Sequence, residues 1–198
     1  AWSSPNQIPQ AELPPDAPLE KETRRGVSVP GKSQSDLVLG VAGPSRFDPD
    51  YLPASIGNSV LGRFGLMGRL GDVVRESAGL AYHASSSLSG GPGPGAWQVS
   101  AGVAPANVGR ALDLIRSELR RFADRGITRQ ELLDNQANFI GRLPLSLESN
   151  EGVAGALINM ERYQLGLDYY QRYPSLVTAM TRAQVLAAAR RFFRGGCL

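Results

Sequence analysis

Residues that can do chemistry are scarce in this chain, so each one present can be weighed by itself. His83 is the only histidine and Cys197 the only cysteine, far apart in sequence. Protein zinc sites draw at least two His, Cys, Asp or Glu ligands from close, fixed spacings. With a single histidine neither H-x-x-H nor H-x-x-E-H can be written, and His83 reads as a surface or packed strand residue. The acidic triplet Asp48-Pro49-Asp50 lacks the ligand spacing of a calcium loop. A Ser/His/Asp triad would have to use His83, and no G-x-S-x-G elbow is present. Cys197 is second from the end, where chains fray, and a frayed thiol is a poor nucleophile.

A stronger pattern is "NSVLGRFGLMGRLGDVVRESAGLAYH", in which Gly62, Gly65, Gly68 and Gly71 recur every third residue. A P-loop needs Lys and Ser/Thr after its last glycine, where this chain has Arg69 and Leu70. A dinucleotide fingerprint needs a strand before the glycines, and "ASIGNSVLG" reads as helix instead. The glycines are therefore expected to form a turn between two helices.

What remains is "RESAGLAY", which sets Arg75 and Tyr82 seven residues apart across a helix end and a strand start. A guanidinium and a phenol brought together there could hydrogen-bond one peptide carbonyl from two sides. The alternative is structural: Arg75 pairs with a nearby carboxylate and Tyr82 packs into the sheet.

The elements that must carry these residues can be read from periodicity. Residues 1–22 hold Pro5, Pro9, Pro14, Pro15 and Pro18 and read as an extended linker or tail, ahead of a single domain over 23–198. Leu37, Val38, Leu39, Val41 and Ala42 suit a buried strand. Ser45 or Asp48 is placed to cap a helix starting near Pro49, with Ala54, Ile56, Val60 and Leu61 on its apolar face. "GRLGDVVRESAG" is a short helix stopped by Gly79; "LAYHASSSLS" and "GAWQVSAGVA" are strands joined by a glycine-proline hairpin tip. The second half is helical: Val108, Leu112, Ile115, Leu119 and Phe122 share a face that ends at Gly126. Thr128 with Glu131, and Thr181 with Gln184, open the next helix and the last one with capping boxes. Pro144 should kink or break the chain between Leu143 and Leu145. Strands gathered early and helices late give an α+β domain, an antiparallel-rich mixed sheet with helices layered on it.

With 198 residues the chain can bury a core without disulfides or structural metal. The net charge of +3 allows a nucleic-acid reading, but the arginines are scattered. Their densest groups, Arg116/Arg120/Arg121/Arg125 and Arg190/Arg191/Arg194, are expected to be solvated helix faces rather than a binding stripe. No apolar run is long enough to span a membrane. The lone cysteine points to a reducing compartment, so the cytoplasm is expected, with the periplasm open. The chain opens on Ala1, as a processed or cut product would.

Taken in order, these residues resemble a known family. Lys32 with Gln34, Leu39-Gly40, Arg46 with Asp48-Pro49-Asp50-Tyr51, Asn58, Leu61-Gly62, Arg69-Leu70, Val74-Arg75-Glu76 and Gly79-Leu80-Ala81-Tyr82 are similar to the non-catalytic C-terminal half of the M16 metallopeptidases. That family takes in the pitrilysins, the insulysins and the mitochondrial processing peptidases. "GITRQELLDNQANFIGRLPLSLES" and "GLDYYQRYPSLVTAMTRAQVLAAARRFF" fit its later helices, so the likeness covers about residues 24–194.

The resemblance implies one LuxS/processing-peptidase-like member of a pair of related halves that close like a clam shell. Zinc and its H-x-x-E-H motif belong to the partner half, on the same polypeptide or a separate subunit. The half seen here binds peptide substrate and is not itself catalytic. Arg75 and Tyr82 match the family's R-x6-Y arrangement, which implies that they reach the substrate near the scissile bond. The proline-rich start resembles the linker between halves. The alternative is a structural or interaction module of the same fold with no peptidase activity.

Overall fold

The computed structural model describes residues 21–65 and 68–195. Most of the proline-rich tail, residues 1–20, and Cys197 lie outside that range. Strand β1 (Ser35–Ala42) leads to helix α1 (Tyr51–Gly62); a short α2 (Gly68–Leu70) then runs straight into a wider π-helical segment, Gly71–Ser77. Strands β2 (Ala81–Leu88) and β3 (Ala96–Val103) form the hairpin. Helices α3 (Val108–Arg125), α4 (Arg129–Ser146), α5 (Asn150–Arg162), α6 (Tyr169–Thr178) and α7 (Arg182–Gly195) follow. None of the described helices is long and apolar enough to cross a membrane.

The three strands lie in the order β1-β3-β2, antiparallel throughout, with Leu37 opposite Ala101 and Ala84 opposite the same residue from the other side. Alternation divides the sheet into two unlike faces. Val41, Ala84, Trp97, Val99, Ala101 and Val103 point to one side and are fully buried. There they meet Ile56, Val60 and Leu61 of α1, Ile115, Leu119 and Phe122 of α3, and Val185, Ala188 and Phe193 of α7 in one continuous core. Trp97 anchors it, with ring centroids 4.6 Å from Phe193 and 6.2 Å from Phe122. The tryptophan keeps its polar edge satisfied: its indole N–H donates to Ser86 Oγ at 3.2 Å, and Ser86 Oγ donates to Asn58 Oδ1 at 2.6 Å. This buried chain of bonds ties α1 to β2 and β3.

Helix ends follow the expected chemistry with two exceptions. Thr128 and Glu131 form the capping box of α4, Thr181 and Gln184 that of α7, and Gly126 takes φ +67° at the end of α3. At α1, neither Ser45 nor Asp48 is the capping residue. The cap position is Asp50, without a side-chain cap bond, while Asp48 accepts the Asp50 N–H at 2.9 Å and shapes the turn one step earlier. Nor does Pro144 break the chain between Leu143 and Leu145: α4 runs through it to Ser146. A proline removes only its own N–H donor, and two residues from the end that loss is confined to the last turn. The Leu147 N–H closes the helix on the Pro144 carbonyl at 3.0 Å.

Several arginines of the two groups are ion-paired while staying on solvated helix faces. Arg116 pairs with Glu22, Arg194 with Asp124, and Arg191 bonds both Asp48 and Asp50, at 2.9 and 2.7 Å. The acidic triplet thus docks α7 onto the entry to α1.

A candidate peptide-contact surface at Arg75 and Tyr82

The glycine run sets the position of Arg75, by close approach rather than by cradling an anion. Gly62 ends α1 against β2, where a Cβ would come within 2.6 Å of Ser86 Cβ and nearer still to its amide nitrogen. Gly65 and Gly68 take φ +63° and +62°, a left-handed turn that side-chain-bearing residues resist. At Gly68 an added Cβ would also crowd the backbone of Val60, Leu61 and Gly62. The turn expected between two helices is therefore tight on both sides.

Just beyond it, Arg69 locks the new helix to α3 and α4. Its guanidinium grips Glu131 with two bonds of 2.6 Å and reaches Glu118 at 3.5 Å. Glu118, only 4% exposed, is held from the other side by Arg121 at 2.9 Å. Burial by itself pushes Glu131 up, but the Arg69 bonds and the Thr128 N–H outweigh it and bring the carboxyl down to about 2. For Glu118 burial wins over Arg121 and Arg69, and its carboxyl is raised. Arg69 also loses charge stability to burial, yet its two carboxylate partners hold its guanidinium pKa above the ordinary value.

Arg75 rides on the π-helical segment that follows. Gly79, at φ +63°, ends the segment by donating to the Arg75 carbonyl at 2.9 Å, and the Leu80 N–H bonds Val74 O at 3.0 Å. The Arg75 side chain lies 3.5 Å from Glu76 and is about one-third exposed at 36%. The structural alternative for Arg75, a neighbouring carboxylate, is thus realised, although the pair is open to solvent.

Tyr82 behaves differently. In β2, Ala84, Ser86 and Leu88 face the helices while His83, Ser85 and Ser87 face away, so regular alternation would send Tyr82 inward, opposite Val103. Instead Ala81 takes the place opposite Val103 and His83 opposes Gly102, leaving Tyr82 as the extra residue of a β-bulge. The ring is expelled and is 83% exposed. It does not pack in the sheet. Bulges re-aim side chains in this way and are frequent beside functional sites, as are π-helical turns. No hydrogen bond joins Arg75 to Tyr82 among the described residues.

The surface next to Tyr82 is the second face of the sheet, and no described helix packs on it. Gly40 and Ala42 of β1, Ser100 and Gly102 of β3, and Ser85 and Ser87 of β2 give it small residues around Gln98 and Val38, the latter 68% exposed, with Ser85 and Ser100 hydroxyls 3.2 Å apart across the strands. Gly102 is where His83 and Gln34 lean over the strand: a Cβ there would come within 2.7 Å of His83 Cε1 and 2.6 Å of Gln34 Nε2. Gln34 in turn donates to Asp36 at 2.8 Å. Gln34, Asp36 and His83 thus gather around Gly102, one position along β2 from Tyr82, a grouping that sequence reasoning missed. Its only advance sign was the two-residue alternation that leaves His83 and Asp36 on one face.

These residues do not suit a metal. Histidine is limited to His83, Asp36 is the one carboxylate grouped with it, and no group of three or more His, Cys, Asp or Glu converges among the described residues.

Comparison with known proteins places the family and the fold. The family model described as the peptidase M16 inactive domain matches residues 2–139. An uncharacterized zinc protease of Streptomyces coelicolor is 35% identical over 126 residues, 64% of this chain and 26% of that protein. The chain therefore spans about a quarter of that relative, at 26% of its length. The crystal structure of a peptidase M16 inactive domain from Pseudomonas fluorescens superposes with a TM-score of 0.74 at 28% identity, over 84% of this chain and 41% of that one. A protease from Helicobacter pylori shares the fold, with a TM-score of 0.73 at 20% identity over 84% of this chain and 40% of that one.

Proposed function

Since this chain belongs to the M16 peptidase family, as its inactive domain, we propose that it is the half that binds and closes over a peptide held by a zinc-bearing partner half. The observation that carries the proposal is the bulge at Tyr82, which presents a phenol at 83% exposure on a sheet whose open face carries Gly40, Ala42, Ser85 and Ser100 around the exposed Val38. An extended peptide can approach such a face closely, because glycine, alanine and serine leave its backbone unobstructed. Tyr82 is then a donor aimed at a substrate carbonyl. Arg75 is the second donor, and reaches the same group by releasing Glu76, an exposed pair that costs little to break.

Zinc, bound by the partner half, would supply the polarised carbonyl and the activated water. This chain contributes position and hydrogen bonds: it orients the peptide, covers it, and excludes water when the two halves close. The partner half lies either on the same longer polypeptide or on a separate subunit.

The test uses the natural full-length protein or complex and follows chelator-sensitive cleavage of an unstructured peptide. Tyr82→Phe and Arg75→Ala are each expected to cut turnover by about 10²-fold, the loss typical of one preorganised donor, with the circular dichroism spectrum unchanged. Full turnover in both folded variants would remove these two roles. An assembly without zinc and without cleavage in the wild type would favour the alternative, a scaffold of the same fold.

A further inference from the structure

A second concave surface, of about 740 Å³, opens between α1, α4 and α6, and neither Arg75 nor Tyr82 lines it. Its size falls within the range of small-molecule sites. Four tyrosines dominate the wall. Tyr51 comes from α1; Tyr169, Tyr170 and Tyr173 come from α6, with ring centroids 5.2 to 6.4 Å apart. None of the four hydroxyls makes a hydrogen bond to a described residue. Burial raises the Tyr169 phenol and pushes Tyr173 up to about 12, so both stay neutral donors at physiological pH.

The charge on this wall has one sign. Arg63 and Arg142 are the charged residues among the described lining, both exposed and neither in an ion pair with a described residue. No carboxylate lines the groove among the described residues. Asp168, at the start of α6, is taken by Arg172 in two bonds of 2.7 and 3.1 Å. Behind the wall Arg46 stacks on the Tyr51 ring at 4.3 Å and adds a further positive charge. Flat rings offer faces and edges to another ring, and free guanidiniums offer forked donors to a carboxylate or sulfonate.

We infer that this groove binds a small aromatic anion, its ring held among Tyr51, Tyr169, Tyr170 and Tyr173 and its acidic group held by Arg63 and Arg142. Neither a neutral ring nor a simple anion would use both halves of the site. The reading is independent of the peptide-binding role.

The experiment titrates the full chain by calorimetry with 2-naphthalenesulfonate and, in parallel, with the neutral 2-naphthalenemethanol. The expected result is saturable one-to-one binding of the sulfonate. The Arg63→Gln/Arg142→Gln double variant should weaken it about tenfold or more, as loss of charge-assisted bonds does, and leave the alcohol unchanged. Tyr170→Ala should weaken both probes. Arg125→Gln, in the separate arginine-lined cavity bordered by Arg69, Arg121 and Arg182, should change neither. Absence of saturable sulfonate binding, equal affinity in the double arginine variant, or loss of binding in Arg125→Gln would each overturn the inference. The two arginines are exposed, so their variants decide the matter even where Tyr170→Ala fails to fold.

Discussion

Replacing Arg69 by methionine tests whether the segment bearing Arg75 is held in place by electrostatics or by packing alone. Methionine keeps the length and apolar stem but removes the fork that grips Glu131 through two bonds of 2.6 Å and reaches Glu118 at 3.5 Å. The Arg69 side chain is 12% exposed and that of Glu118 only 3%, so water cannot replace the bond to Glu118, while Glu131 at 28% is partly open to it. Breaking a buried pair from one side costs about 3–5 kcal/mol because the partner is left charged and unpaired. Glu118 keeps Arg121, and Glu131 keeps the Thr128 N–H. The lower end, about 3 kcal/mol, is therefore expected. For a domain of this size that is a fall in Tm on the order of 10 °C.

The pH dependence gives a second handle on the same substitution. Glu131 titrates at about 2 in the folded chain against 4.5 for the free side chain. A depressed acid contributes stability above its unfolded pKa and loses it as pH falls through the folded one. That contribution is present at pH 7 and lost between roughly pH 4.5 and 2, and the Arg69 share of it disappears in the variant while the Thr128 share stays. Glu118 is shifted the other way and protonates earlier, which relieves the variant further in acid. Urea unfolding followed by circular dichroism at pH 7 and again near pH 3 should show the deficit shrinking. Adding Glu131→Gln should restore part of the loss, since the two side chains form one unit. A deficit under about 1 kcal/mol at pH 7, or one that does not change with pH, would refute the electrostatic account.

Three further outcomes follow from the same contacts. Gly62→Ala forces α1 away from Ser86 and should cost about 1–3 kcal/mol, whereas Gly65→Ala, with open space around it, should cost only the left-handed backbone term of about 1–2 kcal/mol; denaturant midpoints of the two compared side by side check this. Asn58→Ala removes the acceptor of the buried Ser86 hydroxyl and should destabilise by about 1–3 kcal/mol, with a shift in the fluorescence of the buried Trp97 to report it. Tyr82→Ala and Arg75→Ala, at exposed positions, should each move stability by no more than about 0.5 kcal/mol in the same unfolding assay.

Much of the fold is written in local sequence. The strand around Leu37–Ala42, the hairpin about the glycine-proline tip, and the stops at Gly79 and Gly126 all rest on residues within a few positions of each other. So do both threonine capping boxes. What stayed hidden depends on partners far away. Arg69 meets Glu118 and Glu131 across 49 and 62 positions, so nothing near "GRLGD" announces a buried charge network. The burial of Glu118 on the face shared by Ile115 and Phe122 is hidden for the same reason. The intrinsic cost of Pro144 is legible in the sequence, while its place in the last turn of α4 is not. Arg75 and Tyr82 could be paired by their spacing, while the π-helical turn under one and the bulge under the other could not.

The bulge is the point where local pattern and tertiary structure part, and that bears on function. Counting back from Leu88, Ser86 and Ala84, the inward side of β2 falls on Tyr82, facing the fully buried Val103. A tyrosine there would gain apolar burial and keep the ladder regular. The chain instead seats Ala81 opposite Val103, interrupts the pairing, and leaves the larger ring in water. That cost sits one helix end away from a second irregular turn, the π-helical one carrying Arg75. The proposed contact of Tyr82 with a peptide would account for it. Returning the strand to register, by deleting Ala81 so that Tyr82 falls opposite Val103, should therefore give a domain that still folds, with the phenol protected from iodination. Continued iodination of Tyr82 in that folded variant would show that the surrounding core, and not the bulge, is what keeps the ring outside.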